Sequence, residues 1–260
     1  MSAIILETRG LTRTFGAVVA ARELNVRIAQ GEIVGVIGSN GAGKTTFINM
    51  VTGYLPPSSG DILFDGNSVL GRKPRDITRM GMARSFQVAQ LFPKLTVMEN
   101  AMVALVAAEG TQPSFLRPLD TPQRREQANA IFEEFGVSRY RDALVNTVPQ
   151  GARKLVDIAM ALVSRPRMLL LDEPTSGVSS EEKFALMDTV MAVVRQHGVT
   201  VLFVEHDMEI VARYVTRIIA FYSGEIIADG PPKSVLGNAR VQELVIGHDL
   251  NVNSAVGENA

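Results

Sequence analysis

Two short stretches of this chain have residue types and spacings suited to chemistry. The first is GSNGAGKTT, Gly38 to Thr46, which fits G-x-x-x-x-G-K-[ST] without a gap. Glycines at this spacing let successive backbone N–H groups turn inward around phosphate oxygens, and the helix that follows points its positive end at the same anion. On this reading Gly38, Ser39, Asn40, Gly41, Ala42, Gly43, Lys44, Thr45 and Thr46 contact a nucleotide. Lys44 reaches the β- and γ-phosphates, and Thr45 holds Mg²⁺. The plain alternative is a glycine-rich turn. The second stretch is RMLLLDEP, Arg167 to Pro174, an apolar run ending in two adjacent carboxylates. Asp172 is placed to organise Mg²⁺ and its water, and Glu173 to face an attacking water; together they describe hydrolysis. Two acids at a strand end are, taken alone, as well explained by solvation.

Both motifs need a strand before them, and the loop needs a helix after it. EIVGVIG reads as a buried strand and TTFINMVTG as a helix, the setting a phosphate loop requires. Residues 3–64 alternate β-like runs (IILETRG, ELNVRI, EIVGVIG, DILFDG) with the turns FGAVVAA, AQG and LPPSSG. Between Asp76 and about Leu162 the pattern is mainly helical, with ENAMVALVAA and PQRREQANAIFEEFG around an exposed insert, EGTQPSFLRPLD, read as a loop or lid. From Met168 the β/α rhythm returns: MLLLDEP, a helix near Glu181 to Gln196, VTVLFVEHD, a helix through about Tyr214, and RIIAFYSGEIIADG as a hairpin.

Composition narrows the function classes. A chain of 260 residues with 46% hydrophobic content has ample core. Lys+Arg 26 against Asp+Glu 27 leaves a net charge of -1, so there is no global electrostatic case for nucleic acid or anionic lipid. Without cysteine there is no disulfide framework, thiol nucleophile or cysteine-ligated metal. MSAIILETRG lacks a basic segment ahead of a long apolar core, and no apolar run approaches the ~20 residues of a bilayer span. The expectation is a chain without a cleaved leader that meets a membrane only through a partner.

Three further residues complete a pattern. Phe15 in LTRTFG, Gln87 in RSFQ and His206 in VEHD, in order around the two motifs, make the chain resemble the nucleotide-binding subunit of an ATP-binding cassette transporter over about residues 4–247. Singly, each has a bland reading: a core Phe, a surface Gln, a satisfied strand-end His. The resemblance implies an α/β P-loop NTPase with a RecA-like core, an antiparallel β subdomain and an α-helical subdomain inserted at about residues 88–162. It also implies one domain over residues 1–247; residues 248–260, polar with small side chains, read as a flexible, frayed tail. ATP and Mg²⁺ are the implied cofactors: adenine stacks on Phe15; Thr45, Gln87 and Asp172 serve the metal; Glu173, His206, Gln87 and Lys44 are catalytic. Gln87 further links to a membrane partner. The implied location is peripheral, on the cytoplasmic face of the inner membrane.

One motif departs from the family. Aligning backwards from LVDIAMAL places Val148, Pro149, Gln150, Gly151 and Ala152 where the family reads L-S-G-G-Q, and only Gly151 matches. The resemblance implies that this signature binds the γ-phosphate held by a partner's loop. Pro149 has neither hydroxyl nor N–H, so at least one charge-assisted hydrogen bond, worth ~1.5 to 3 kcal/mol, cannot form in the same way. Alternatively, Gly151 and the helix N-terminus suffice. The first alternative predicts an asymmetric dimer with a different ATP-binding subunit. TSGVSS, after Pro174, also lacks the Asp many relatives place there.

DITRMGMARSFQVAQLFPKLTVMENAMVAL, FVEHDM and VQELVIG are similar to importer subunits for branched-chain amino acids and related small amides or carboxylates. Arg84 and Phe86 beside Gln87 strengthen that similarity. The implied partners are permease subunits, a second and different ATPase, and indirectly a periplasmic binding protein, with no nucleic acid. Competing readings are a lipopolysaccharide-export ATPase, a soluble cassette acting on ribosomes or DNA, a small-molecule kinase, and a nucleotide-bound subunit without turnover.

Overall fold

Buried apolar runs between glycine turns fold into alternating strands and helices. The computed structural model describes residues 3–85, 91–109 and 118–247. In chain order these form β1 (Ile4–Phe15), β2 (Val18–Ala29), β3 (Ile33–Gly38), α1 (Lys44–Val51), β4 (Ser59–Phe64), β5 (Asn67–Ser68), α2 (Pro74–Arg79) and β6 (Met82–Ser85). There follow α3 (Val97–Glu109), α4 (Pro122–Glu134), α5 (Gln150–Leu162), β7 (Met168–Asp172) and α6 (Glu182–Gln196). The chain ends with β8 (Thr200–Val204), α7 (Met208–Tyr214), β9 (Arg217–Tyr222), β10 (Glu225–Gly230), α8 (Pro232–Leu236) and α9 (Ala239–Val241), which runs into a π turn at Gln242–Ile246. Two compact units result, Met1–Pro74 with Leu202–Ala260, and Arg75–Val201.

The first unit holds an antiparallel sheet ordered β2-β1-β4-β5 and a second sheet with the order β10-β9-β3-β8. In β2 the buried Leu24, Val26 and Ile28 alternate with exposed Asn25 and Arg27, the period of a strand with one face in the core. All six residues of β3 are buried, and it runs parallel to β9 from Val34 opposite Arg217 to Gly38 opposite Phe221. Arg217 anchors the start of β9: it takes Asp229 of β10 through two bonds of 2.6 and 2.7 Å and donates to the Arg27 carbonyl at 2.7 Å. The Asp229 bond raises the guanidinium pKa above its ordinary value, against an opposing push from burial. One sequence expectation needs correction here. FGAVVAA is not a turn, because Val18 to Ala21 already belong to β2, with Phe15 opposite Val18 and Arg13 opposite Ala21. Only Gly16 and Ala17 make the turn, Gly16 at φ +57°. Register shifts keep β1 and β2 paired to their ends, and cross-strand pairing of this kind leaves no mark in local periodicity.

In the second unit β6 and β7 pair in parallel, from Met82 opposite Met168 to Ser85 opposite Leu171. The segment expected to be mainly helical therefore contains a strand. Its helices α3, α4 and α5 do coincide with the periodic stretches. Thr121 caps α4 by accepting from the Arg124 N–H, with Pro122 at the first turn. Ser85 donates to buried Asp157 of α5 at 2.5 Å, fixing that helix to β6. Gln87, residues 110–117 of the expected insert and the expected tail at 248–260 lie outside the described residues. No helix among the described residues is long and apolar enough to cross a membrane.

Candidate functional site

In the first unit the stretch Gly38 to Thr46 joins β3 to α1. Its conformation depends on missing side chains. Gly38 has φ +156°, and a Cβ there would lie 2.5 Å from the Phe221 carbonyl oxygen; Gly43 has φ +104°, and a Cβ would lie 2.6 Å from the Ala20 carbonyl oxygen. Neither approach is possible for a larger residue. The loop is braced by bonds from Ala42 N–H to the Ser39 carbonyl at 3.1 Å and from Gly224 N–H to the Ala42 carbonyl at 3.0 Å. Beneath it Phe47 of α1 packs on Phe221 of β9, ring centroids 5.5 Å apart. Lys44 is buried and folds over the loop, its Nζ donating to the Ser39 carbonyl at 3.1 Å and to the Gly38 carbonyl. Thr45 is exposed, and the first turn of α1 carries no acid to repel an anion.

Phe15 ends β1 and is 47% exposed, so the ring is available for stacking rather than spent in the core. His206 follows β8. Its backbone N–H donates to Glu205 at 3.2 Å, and that carboxylate is buried. Asp207 caps α7, accepting from Glu209 and Ile210 N–H groups at 2.9 and 3.3 Å. The EHD run thus holds half-buried His206 between a buried acid and a helix cap.

In the second unit β7 ends at Asp172. Arg84, on the neighbouring strand β6, donates through Nη2 to Asp172 Oδ2 at 2.8 Å, and both side chains are largely shielded, 8% and 15% exposed. Glu173 has φ +49°, a left-handed conformation that costs a residue with a Cβ roughly 1–2 kcal/mol and that gathers at functional sites. The Glu173 carbonyl accepts from Ser176 N–H at 3.0 Å, which turns the chain sharply after the strand.

The altered signature forms the start of α5. Pro149 is exposed and makes no side-chain cap. Arg153 reaches back to it, its N–H donating to the Pro149 carbonyl at 2.8 Å and its Nη2 to the Val148 carbonyl at 2.9 Å. Gln150 leans over Gly177: a Cβ on that glycine would lie 2.6 Å from the Gln150 Nε2. A methyl added at Gly151 would lie 3.9 Å from Oε2 of Glu182, so a carboxylate stands near the signature glycine. Ser179, in the loop lacking the expected Asp, donates to that same Oε2 at 3.0 Å.

Among the described residues no group of three or more His, Cys, Asp or Glu forms a metal cage. Thr45, Asp172 and Gln87, the residues that the sequence assigns to Mg²⁺, carry oxygen atoms, the donor type which that hard ion takes. Arg13, Arg84, Glu182 and Glu205 were not assigned roles from sequence. Arg13 stands two residues before Phe15, where strand alternation places both on one face; Arg84 pairs with a residue 88 positions away, which local pattern does not carry, whereas Ser179 and Glu182 have the spacing of a capping box.

Comparison with known proteins gives the family. The ABC transporter family matches residues 21–176, and those residues include the phosphate loop, Asp172 and Glu173. The chain belongs to the ABC transporter family. It is an ATPase of the cassette type, its hydrolysis coupled to transport. It is 34% identical over 255 residues to the high-affinity branched-chain amino acid transport ATP-binding protein BraF of Pseudomonas aeruginosa, covering 95% of this chain and 99% of that one. It is 34% identical over 254 residues to the corresponding protein LivG of Escherichia coli K12, with the same coverage. Among solved structures it is similar to MJ1267, an ATP-binding cassette of an ABC transporter in its ADP conformation, at TM-score 0.83 and 29% identity over 93% of this chain and 98% of that one.

Proposed function

We propose that this chain is the ATP-hydrolysing subunit of an importer for branched-chain amino acids or related small amides or carboxylates. It works on the cytoplasmic face of the inner membrane with permease subunits, a second and different ATP-binding subunit and, indirectly, a periplasmic binding protein. Similarity to BraF and LivG over nearly the whole chain supports the substrate class. The hydrolytic reading rests chiefly on Glu173, a carboxylate kept in a strained backbone conformation directly after the Asp172 strand end. Such strain persists where the surrounding structure enforces it.

The roles follow from residue chemistry. Backbone N–H groups of Gly38 to Gly43 and the Lys44 ammonium bind the triphosphate, and Phe15 stacks the base. Thr45, Gln87 and Asp172 would hold Mg²⁺, which would supply positive charge to offset that developing on the phosphates. Glu173 orients the attacking water and accepts its proton; His206 steadies the γ-phosphate. For Lys44 the bonds to Gly38 and Ser39 carbonyls keep its ammonium at the loop, so binding phosphate exchanges one set of oxygens for another.

The signature that the chain offers in return is weaker. Pro149 supplies no donor, and Glu182 places negative charge near Gly151, where the partner's γ-phosphate would sit. Both favour pairing with a different subunit whose own signature is intact.

Replacing Glu173 by Gln keeps the side chain's shape and removes the base. ATP binding is expected to stay within a few-fold of the unmutated chain, while multiple-turnover hydrolysis and leucine uptake by the assembled transporter fall by roughly 10² to 10⁴. Hydrolysis near the unmutated rate would remove Glu173 from this role; full hydrolysis-driven transport of an unrelated solute, with none of leucine, isoleucine or valine, would overturn the substrate class.

A further inference from the structure

We infer that Arg13 is a positioning residue for the nucleobase, backing the Phe15 ring so that the base stacks on its opposite face. The inference rests on the reading of Phe15 as the adenine platform and adds a second layer to it.

The Arg13 guanidinium carbon lies 4.5 Å from the Phe15 ring centroid, in cation–π range. The guanidinium is held there: Nη1 donates to the Pro56 carbonyl at 2.9 Å, and Nε is buried with no acceptor among the described residues. The strand end beside it is tied to the same segment. Thr14 N–H donates to Ser58 Oγ at 3.1 Å, and Ser58 N–H donates to the Thr12 carbonyl at 2.8 Å. Residues 56–58 lie between α1 and β4, so the segment that bears the aromatic ring is fastened to the one that follows the phosphate-loop helix.

Three physical effects follow. A ring that is 47% exposed would otherwise sample several orientations; a fixed guanidinium on one face restricts it and lowers the ordering cost of stacking. That face is closed to a base, leaving one face for it. Two π faces laid flat repel through their quadrupoles, and a cation on the far side draws the phenyl density away from the base. The layered order guanidinium, phenyl, base therefore favours a broad, electron-rich heteroaromatic, a purine, over a smaller pyrimidine.

Calorimetric titration of the full chain with MgATP and, separately, with magnesium tripolyphosphate separates base from phosphate binding. Arg13→Ala and Arg13→Gln are expected to weaken ATP roughly 2- to 10-fold and leave tripolyphosphate unchanged, with Arg13→Lys in between. In a Phe15→Ala background, Arg13→Ala is expected to add nothing further for ATP. Unchanged ATP affinity in Arg13→Ala, while Phe15→Ala weakens it, would overturn the role of Arg13 alone. Equal weakening of both ligands would overturn it too, as general damage to the loop. No loss of ATP affinity in Phe15→Ala would overturn the Phe15 platform itself.

Discussion

Two helices of this chain begin where the fold reading places nucleotide, and they begin differently. α1 follows a glycine-rich loop: Gly38 and Gly43 sit where a Cβ would strike backbone oxygens, and the first turn is without acid. α5 follows Pro149 and is furnished with side chains, with Gln150 over Gly177, Arg153 bonded back to the Val148 carbonyl and Glu182 near Gly151. Both helices carry the same dipole. A helix N-terminus is thus only the starting point of an anion site; the bare backbone donors before it and the charges beside it decide how well it serves. On the proposed reading the first end holds phosphate tightly and the second touches it lightly.

The sharpest way to break the comparison is to add one methyl at each end. Gly43→Ala forces a Cβ to 2.6 Å from the Ala20 carbonyl at φ +104°, and ATP binding is expected to fall at least ~10-fold, with a lower melting temperature. Gly151→Ala meets nothing closer than 3.9 Å and needs no left-handed backbone, so this chain's own ATP affinity and melting temperature are expected to stay put. Equal tolerance at both positions, measured by thermal melts with and without ATP, would erase the distinction. A smaller effect should come from Glu182→Gln. Its carboxylate is exposed, so screening limits the gain, and turnover at the partner's nucleotide is expected to rise only about 2-fold. A fall in that turnover would mean that Glu182 helps the signature rather than opposes it.

How much of this was legible in sequence depended on distance along the chain. The phosphate loop and the Asp172–Glu173 strand end are contiguous, so their motif, strand and helix could be read together. The long pairing of β1 with β2 was misjudged at Val18 to Ala21, because what holds those residues extended is the strand opposite. β6 escaped notice for the same reason, and with it the Arg84–Asp172 pair, whose members stand 88 positions apart. Glu173's left-handed backbone has no sequence signal, since nothing in the residue type announces it. The Pro149 departure, in contrast, was visible at once from the types alone. What the fold added was its surroundings, above all the carboxylate of Glu182 near Gly151.

The central claim is that this chain receives a nucleotide well and returns a weak signature. Sedimentation of the purified Glu173→Gln chain with MgATP, alone and with Pro149→Ser added, tests it most directly. A self-dimer would contain two altered signatures, each short of a bond worth ~1.5 to 3 kcal/mol, so the single variant is expected to stay monomeric where the double variant dimerises, at a chain concentration at least ~100-fold lower. ATP-dependent dimerisation of Glu173→Gln alone, unchanged by Pro149→Ser, would contradict the account.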